Sequence, residues 1–178
     1  MYEIFETDCW AVTHRRDARY PGYLIVSSKH EGRDLGDLPG ETLIELGAVL
    51  ARTECLLKSY FKPFRVISTK LGFSNGFSCH FHMLPVSHEL LEEIRSHPSY
   101  TNEPDGNDVL LFTSREYCER SLDKKETKRQ YETVCELKKY CAQKNKKKIK
   151  GTPIQIIGVF GCPLFFSTVF LCDSRSKI

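Results

Sequence analysis

One stretch of this chain, Ser78–Val86 (SCHFHMLPV), constrains its fold more than any other. Side chains on a β-strand alternate between the two faces of a sheet. Ser78, His80 and His82 therefore share one face, and the residues between them are expected to face the core. Pro85 requires this strand to end near that residue or to lie at a sheet edge. The stretch predicts a strand that presents two imidazoles together.

The remaining elements follow from apolar patterns and turn residues. A long helix is expected over Glu41–Phe61, where leucines recur on one face before Pro63. Shorter helices are expected over Glu89–Ile94 and from about Asp123. Apolar segments predict four further strands, at Cys9–His14, Tyr23–Ser27, Phe64–Thr69 and Val109–Thr113.

These elements predict an α+β fold. We expect an antiparallel sheet of about five strands, with the long amphipathic helix packed on one face and the two histidines lining a pocket. The helix that begins near Asp123 is expected to use Tyr131, Val134 and Cys141 as its thin apolar face. Together with the strand at Val109–Thr113, it would form a further layer.

The charge pattern divides the chain. The net charge is +3, and five lysines fall within 144–150. The rest of the chain is near neutral, so the sequence does not indicate a nucleic-acid partner. We expect a folded domain over 1–143, a basic linker over 144–150 and an apolar segment over 151–178.

The apolar segment has two interpretations. Its first 22 residues, 151–172, carry no charge, and a helix of roughly 20 apolar residues can cross a bilayer. The preceding lysines would suit the cytosolic side of a tail anchor. Prolines and glycines interrupt the segment, however, which favours a buried strand pair or a terminal segment without a role.

The cysteines indicate a reducing compartment. The chain has 8 cysteines but no CxxC pair, and its first residues do not resemble a signal peptide. We expect free thiols and a cytoplasmic location, or a tail-anchored protein whose domain faces the cytosol.

The histidine pair suits phosphate chemistry. Two residues apart on a strand, His80 and His82 lie roughly 6.6 Å apart, so they can reach different oxygens of one phosphate. The preceding glycine-containing loop offers backbone N–H groups and the side chains of Ser74 and Asn75 to an anion. A metal site is the alternative, with His14 or Asp17 as a third ligand.

The order of these elements resembles the histidine triad family of hydrolases and nucleotidyltransferases. The resemblance covers Cys9–Val86 and includes the segments YPGYLIVSSKH, DLPGETLIELGAVLAR and SCHFHMLPV. The family signature is H-φ-H-φ-H-φ-φ, where φ is an apolar residue. Its second and third histidines match His80 and His82, and Ser78 replaces the first, as in a divergent member.

The resemblance implies a mechanism. His80 would be the nucleophile that attacks the α-phosphorus of a nucleotide conjugate, such as a dinucleoside polyphosphate or a nucleoside phosphoramidate. Water would then hydrolyse the covalent nucleotidyl-histidine. His82 would donate a hydrogen bond to a phosphoryl oxygen, with Ser78 beside it, and no metal or other cofactor would take part.

The resemblance leaves ribose recognition and turnover open. The family commonly places an acidic residue at the end of the first strand, where this chain has His14, with Asp17 as the nearest carboxylate. Ser78 does not titrate usefully, so the chain could instead be a nucleotide-binding module with weakened turnover. Many histidine triad proteins form homodimers, so the resemblance allows a homodimer here, although no feature of the sequence itself indicates one.

Overall fold

The computed structural model describes residues 2–72, 76–100, 102–118 and 120–150, with the backbone alone for 144–150. Over these residues the chain forms five strands and four α-helices. In chain order they are β1 (Glu3–Glu6), β2 (Trp10–His14), β3 (Leu24–Ser28), α1 (Gly40–Phe61), β4 (Arg65–Thr69), β5 (His80–Val86), α2 (His88–Ser96), α3 (Gly106–Glu116) and α4 (Lys124–Lys150).

The strands form one antiparallel sheet in the order β1-β2-β3-β5-β4. The strand that carries the two histidines, β5, therefore lies between β3 and β4. In register with β3, His80 pairs with Ser27 and His82 pairs with Ile25. The predicted α+β fold, with a five-stranded antiparallel sheet and a long helix on one face, is confirmed.

The first face of the sheet is covered by the two longest helices. Trp10, at the start of β2, is fully buried there, and its indole N–H donates to the carbonyl of Thr42 in α1 at 2.9 Å. Leu57 of α1 and Leu137 of α4 belong to the same apolar cluster. Burial of these side chains removes apolar surface from water and holds both helices against the strands.

The second face is covered only at one end. Leu84 and Val86 of β5 pack there in an apolar cluster with Leu90 of α2 and Phe112 of α3. Because side chains alternate along β5, His80 and His82 lie on this same face, beyond the apolar cluster. Helices α2 and α3 therefore leave the histidine end of the face uncovered.

The segment Val109–Thr113, which was expected to be a strand, lies within helix α3. Five apolar residues are too few to distinguish the periods of a helix and a strand. The deciding signal is Asp105, whose side chain accepts hydrogen bonds from the backbone N–H groups of Asn107 and Asp108. The carboxylate of Asp108 in turn accepts a hydrogen bond from the N–H of Asp105, which completes a capping box. The fifth strand of the sheet is instead β1.

We expect Asp105→Ala to destabilise the domain. The substitution removes the acceptor for two N–H groups at the first turn of α3, and loss of such a cap lowers the melting temperature by about 2–4 °C in a domain of this size. Thermal unfolding followed by circular dichroism measures the change. Asp105→Asn, which keeps a capping oxygen, should melt close to wild type. Equal melting of Asp105→Ala and wild type would contradict the cap.

Pro85 lies near the end of its strand, which is one of the two expected alternatives. β5 is an inner strand in which Pro85 pairs with Val66 of β4, but its pairing with β3 stops at Met83 and the strand ends at Val86. The expected apolar face of α4 needs correction, because Tyr131 is 48% exposed, whereas Leu137 is buried with the expected Val134.

The tail-anchor interpretation of 151–172 and its alternatives fall outside the described residues. Within the part of the chain that the structure describes, no helix combines the length and the apolar character that a membrane span needs. The backbone of α4 continues through 144–150, the segment expected to be a basic linker.

Candidate active site

The two histidines meet at a cavity on the open part of the second sheet face. The centroids of the His80 and His82 rings are 5.0 Å apart, closer than the strand spacing alone suggests. The cavity has a volume of about 740 Å³, enough for a nucleotide-sized molecule. Its lining includes both imidazoles, side chains of β2 and β3, the β2–β3 loop, Phe77 and Ser114 of α3.

The hydrogen bonds of His80 define its reactive nitrogen. Its Nδ1 lies 2.8 Å from the backbone carbonyl oxygen of Ser78. A carbonyl oxygen can only accept, so Nδ1 carries the proton of the neutral ring. The lone pair is therefore on Nε2, which is the arrangement that a nucleophilic imidazole needs.

His82 has different surroundings. Its Nδ1 lies 3.1 Å from the hydroxyl of Tyr23, which is fully buried and immediately precedes β3. Burial, together with the neighbouring His80 and Arg15, lowers the pKa of His82 to about 4, and Asp17 opposes this shift only in part. The His82 ring is therefore neutral at physiological pH.

A charged pair of the β2–β3 loop borders the same cavity. Arg15 holds Asp17 through two bonds, Nε to Oδ1 at 2.8 Å and Nη2 to Oδ2 at 3.0 Å. The guanidinium carbon of Arg15 also lies 5.0 Å from the centroid of the Tyr23 ring. Burial would raise the pKa of Asp17, but the bond to Arg15 and its charge outweigh it and lower the pKa. Asp17 is thus an ionised carboxylate at the cavity.

Helix α4 fixes this loop from the opposite side of the sheet. Gln130 of α4 is buried, and its side-chain amide donates to the carbonyl oxygens of Arg15 and Ala18, both at 2.9 Å. Its amide also lies 3.1 Å from the carbonyl oxygen of Arg16. One side chain thereby satisfies buried backbone acceptors that would otherwise destabilise the loop.

His14, the residue expected near the ribose, is turned toward the other face. It pairs with Leu24 across β2 and β3 and is 1% exposed. Its Nε2 accepts from the N–H of Gly22 at 3.1 Å, and its Nδ1 donates to the carbonyl of Arg15 at 2.9 Å. Both ring nitrogens are thus occupied within the protein, and burial lowers the pKa of His14.

Gly22 allows this arrangement because of its backbone conformation. Its φ is +78°, which favours glycine, and a Cβ here would come within 2.4 Å of the Phe61 ring. The turn at Gly22 brings its N–H to His14 and directs the chain into β3 at Tyr23. In the sequence, the Pro21-Gly22 dipeptide is the residue pattern that favours this turn.

Three expected site residues remain to be placed. Ser78 borders the cavity, and its hydroxyl donates to the carbonyl of Ser28 at 3.0 Å. Ser74 and Asn75, the expected phosphate ligands, lie outside the described residues. Within the described part of the chain, no group of three or more His, Cys, Asp or Glu side chains is arranged to hold a metal ion.

Sequence reasoning missed three residues that shape the site. Arg15 and Tyr23 lie beside the histidine pair because the turn between β2 and β3 places them there. Ser114 approaches from α3, part of which was expected to be a strand. Tyr23 lies in the segment YPGYLIVSSKH, which resembles the histidine triad family, whereas neither Arg15 nor Ser114 belongs to a recognisable motif. The contact between Tyr23 and His82 itself depends on the pairing of β3 with β5.

Comparison with known proteins gives one consistent result. No protein family model matches the sequence, and no curated protein matches it. Solved structures do match. A hypothetical histidine triad nucleotide-binding protein from Sulfolobus tokodaii has a TM-score of 0.55 and 18% identity, over 83% of this chain and 87% of the other.

Two other matches have similar values. A zinc-bound histidine triad family protein from Mycobacterium smegmatis gives a TM-score of 0.51 at 17% identity, over 82% of this chain and 86% of the other. Plasmodium falciparum diadenosine triphosphate hydrolase, in complex with cyclomarin A, gives 0.51 at 14% identity, over 80% and 78%. The chain therefore has the fold of the histidine triad proteins.

Proposed function

We propose that this protein is a nucleotide-binding hydrolase or nucleotidyltransferase that reacts at the α-phosphorus of a nucleotide conjugate through a covalent intermediate on His80. The observation that supports this proposal most strongly is the hydrogen bond from His80 Nδ1 to the carbonyl of Ser78. This bond leaves the lone pair of the ring on Nε2, at the cavity. Relatives of the same fold support the substrate class, since one is described as nucleotide-binding and another as a diadenosine triphosphate hydrolase.

The first step forms and breaks one bond at phosphorus. Nε2 of His80 attacks the α-phosphorus, and the bond from phosphorus to the leaving group breaks with its electron pair. A polyphosphate leaves as an anion, whereas an amine must take up a proton as it leaves. His82, which is neutral, donates a hydrogen bond to a phosphoryl oxygen and stabilises the charge that develops there.

The second step restores the enzyme. Water attacks the phosphorus of the nucleotidyl-histidine and loses a proton to solvent, and the bond between phosphorus and Nε2 breaks with its electron pair returning to Nε2. The products are a nucleoside monophosphate and free His80. Two displacements with a good leaving group at each stage replace one slow hydrolysis.

Ribose recognition falls to the β2–β3 loop in this proposal. His14 has no free ring nitrogen, so the carboxylate of Asp17 is the better candidate acceptor for ribose hydroxyls. Asp17 borders the cavity and is held in place by Arg15. Backbone groups and side chains of Ser74 and Asn75 remain the proposed contacts of the phosphate.

A direct assay tests the proposal. The full chain is incubated separately with a diadenosine polyphosphate and with an adenosine phosphoramidate, and chromatography follows the release of AMP. The proposal expects AMP from at least one of the two substrates. Saturable AMP binding without turnover would instead favour a binding module, and absence of both would contradict a nucleotide site.

We expect Ser78→His to raise turnover roughly 10-fold, because a titratable ring at this position can help deliver the proton that an amine leaving group needs. The effect should be larger for the phosphoramidate than for the diadenosine polyphosphate. Steady-state rates for both substrates measure it, and Ser78→Asn, which is polar but does not titrate, is the matched control. Equal rates for Ser78→His and wild type on the phosphoramidate would show that the serine does not limit catalysis.

A further inference from the structure

The hydroxyl of Tyr23 lies at the centre of a buried polar cluster beside the histidine pair. Its oxygen is 3.1 Å from Nη1 of Arg15 and 3.1 Å from Nδ1 of His82. Tyr23 itself is 0% exposed, so water does not compete for these contacts.

The orientation of Arg15 is fixed by Asp17. The carboxylate of Asp17 occupies Nε and Nη2 of the guanidinium, which leaves Nη1 to point at the phenol oxygen. A guanidinium has donors only. The phenol oxygen must therefore accept from Arg15, and a bidentate carboxylate contact keeps the guanidinium from rotating away.

The phenol proton can then be assigned by elimination. Arg15 donates to the phenol oxygen, and among the described residues the acceptor placed for the Tyr23 O–H is Nδ1 of His82. A protonated Nδ1 would leave this buried O–H without an acceptor, which destabilises the fold, so the Tyr23 O–H donates to Nδ1. The burial that raises the pKa of Tyr23 keeps this proton on the oxygen, although Arg15 partly offsets the shift. A neutral His82 that accepts at Nδ1 carries its own proton on Nε2.

The geometry points to Tyr23 as a positioning residue that, held by Arg15 and Asp17, fixes His82 as the Nε2–H tautomer. His80 and His82 are neighbours on one strand face, yet they require opposite tautomers. His80 donates at Nδ1 to a backbone carbonyl and has its lone pair on Nε2, whereas His82 accepts at Nδ1 and has a proton on Nε2. The hydrogen-bond partner of Nδ1 therefore decides which ring has a lone pair on Nε2 and which ring has an Nε2–H donor.

The inference deepens the proposed function. In that scheme His82 donates to a phosphoryl oxygen, and only the Nε2–H tautomer places a donor on the nitrogen that is not bonded to Tyr23. Its kinetic consequence rests on the proposed function, but the tautomer itself is a property of the free protein. The two can therefore be tested separately.

Long-range ¹H–¹⁵N correlation spectra of the full chain labelled with ¹⁵N-histidine measure the tautomers directly, with His82→Gln used to assign the signal. The expected spectrum has an unprotonated Nδ1 and a protonated Nε2 for His82, and the reverse for His80. A protonated Nδ1 on His82 in the wild-type protein would overturn the inference, whether or not any variant folds.

Tyr23→Phe removes the hydroxyl and keeps the ring. We expect the His82 signal to move toward a mixture of both tautomers, and kcat to fall about 10-fold with little change in KM, as loss of one neutral hydrogen bond predicts. Tyr20→Phe is the matched control, since that buried hydroxyl donates to the carbonyl of Pro85 instead. An unchanged His82 signal in Tyr23→Phe would reject the positioning role.

The outcomes separate the two claims. The expected tautomers without any nucleotide turnover would support the role of Tyr23 and contradict the proposed function. Normal turnover with the opposite His82 tautomer would support the proposed function and overturn the role of Tyr23. A fall in kcat for both Tyr23→Phe and Tyr20→Phe, with unchanged tautomers, would indicate packing alone and reject the positioning role.

Discussion

His80→Ala is expected to abolish turnover of a nucleotide conjugate, with a loss of at least about 10⁴-fold in kcat. In the proposed scheme no other group forms the covalent bond to phosphorus, and removal of a nucleophile leaves only the catalysis that binding and electrostatics provide. His80 is partly exposed at the cavity and is not one of the buried core residues. The variant should therefore fold and still bind AMP. Single-turnover release of AMP measures the loss.

The matched control for this variant is His88→Ala. His88 is exposed at the start of α2, and its ring contacts Phe64 rather than the cavity. It should keep wild-type turnover and stability. A His80→Ala protein that retains more than a tenth of the wild-type rate would show that another residue is the nucleophile.

His82→Ala is the second substitution with a large expected effect, a fall of about 10²–10³-fold in kcat. The side chain of His82 supplies a donor to the phosphoryl oxygen, and loss of one such donor has an effect of this size. Because its pKa is lowered to about 4, the ring stays neutral well above that pH. The ratio of wild-type to variant rates should therefore be constant from about pH 5.5 to about pH 8.

His82→Gln tests whether the donor matters rather than the shape. An amide side chain can both accept from Tyr23 and donate to an oxygen, so this variant should recover part of the lost rate. If His82→Ala and His82→Gln raise KM and leave kcat unchanged, His82 contributes to substrate binding alone. A loss in His82→Ala that is present at low pH and disappears as the pH rises would indicate a charged imidazolium donor and would contradict a neutral one.

The sequence predicted the parts of the fold that depend on local pattern. Alternation along Ser78–Val86 placed His80 and His82 on one face, and the leucines of α1 placed that helix on the other. Both follow from the periods of strand and helix, which are properties of the backbone. Segments too short to show a helical or strand periodicity were misassigned. Val109–Thr113 is an example, because a short apolar run fits a helix and a strand equally well.

The sequence predicted the histidine pair of the site but not the residues that surround and hold it. His80 and His82 lie in a motif, but Arg15, Tyr23 and Gln130 reach the site through a turn and a distant helix. Gln130 is more than a hundred residues from the loop it fixes. Contacts of this kind depend on tertiary packing. His14 also borders the cavity, but both of its ring nitrogens are hydrogen-bonded within the protein, and no local pattern in the sequence reveals that burial.

The most direct measurement of the central claim is the location of the covalent intermediate. Wild-type protein is mixed with a diadenosine polyphosphate, quenched in alkali because phosphorus–nitrogen bonds to histidine are acid-labile, and digested with trypsin. Fragmentation of the peptide 71–95 should place one adenylyl group on His80, and the same peptide from His80→Ala should carry none. An adenylyl group on any other residue, or an equal adduct in His80→Ala, would contradict the account.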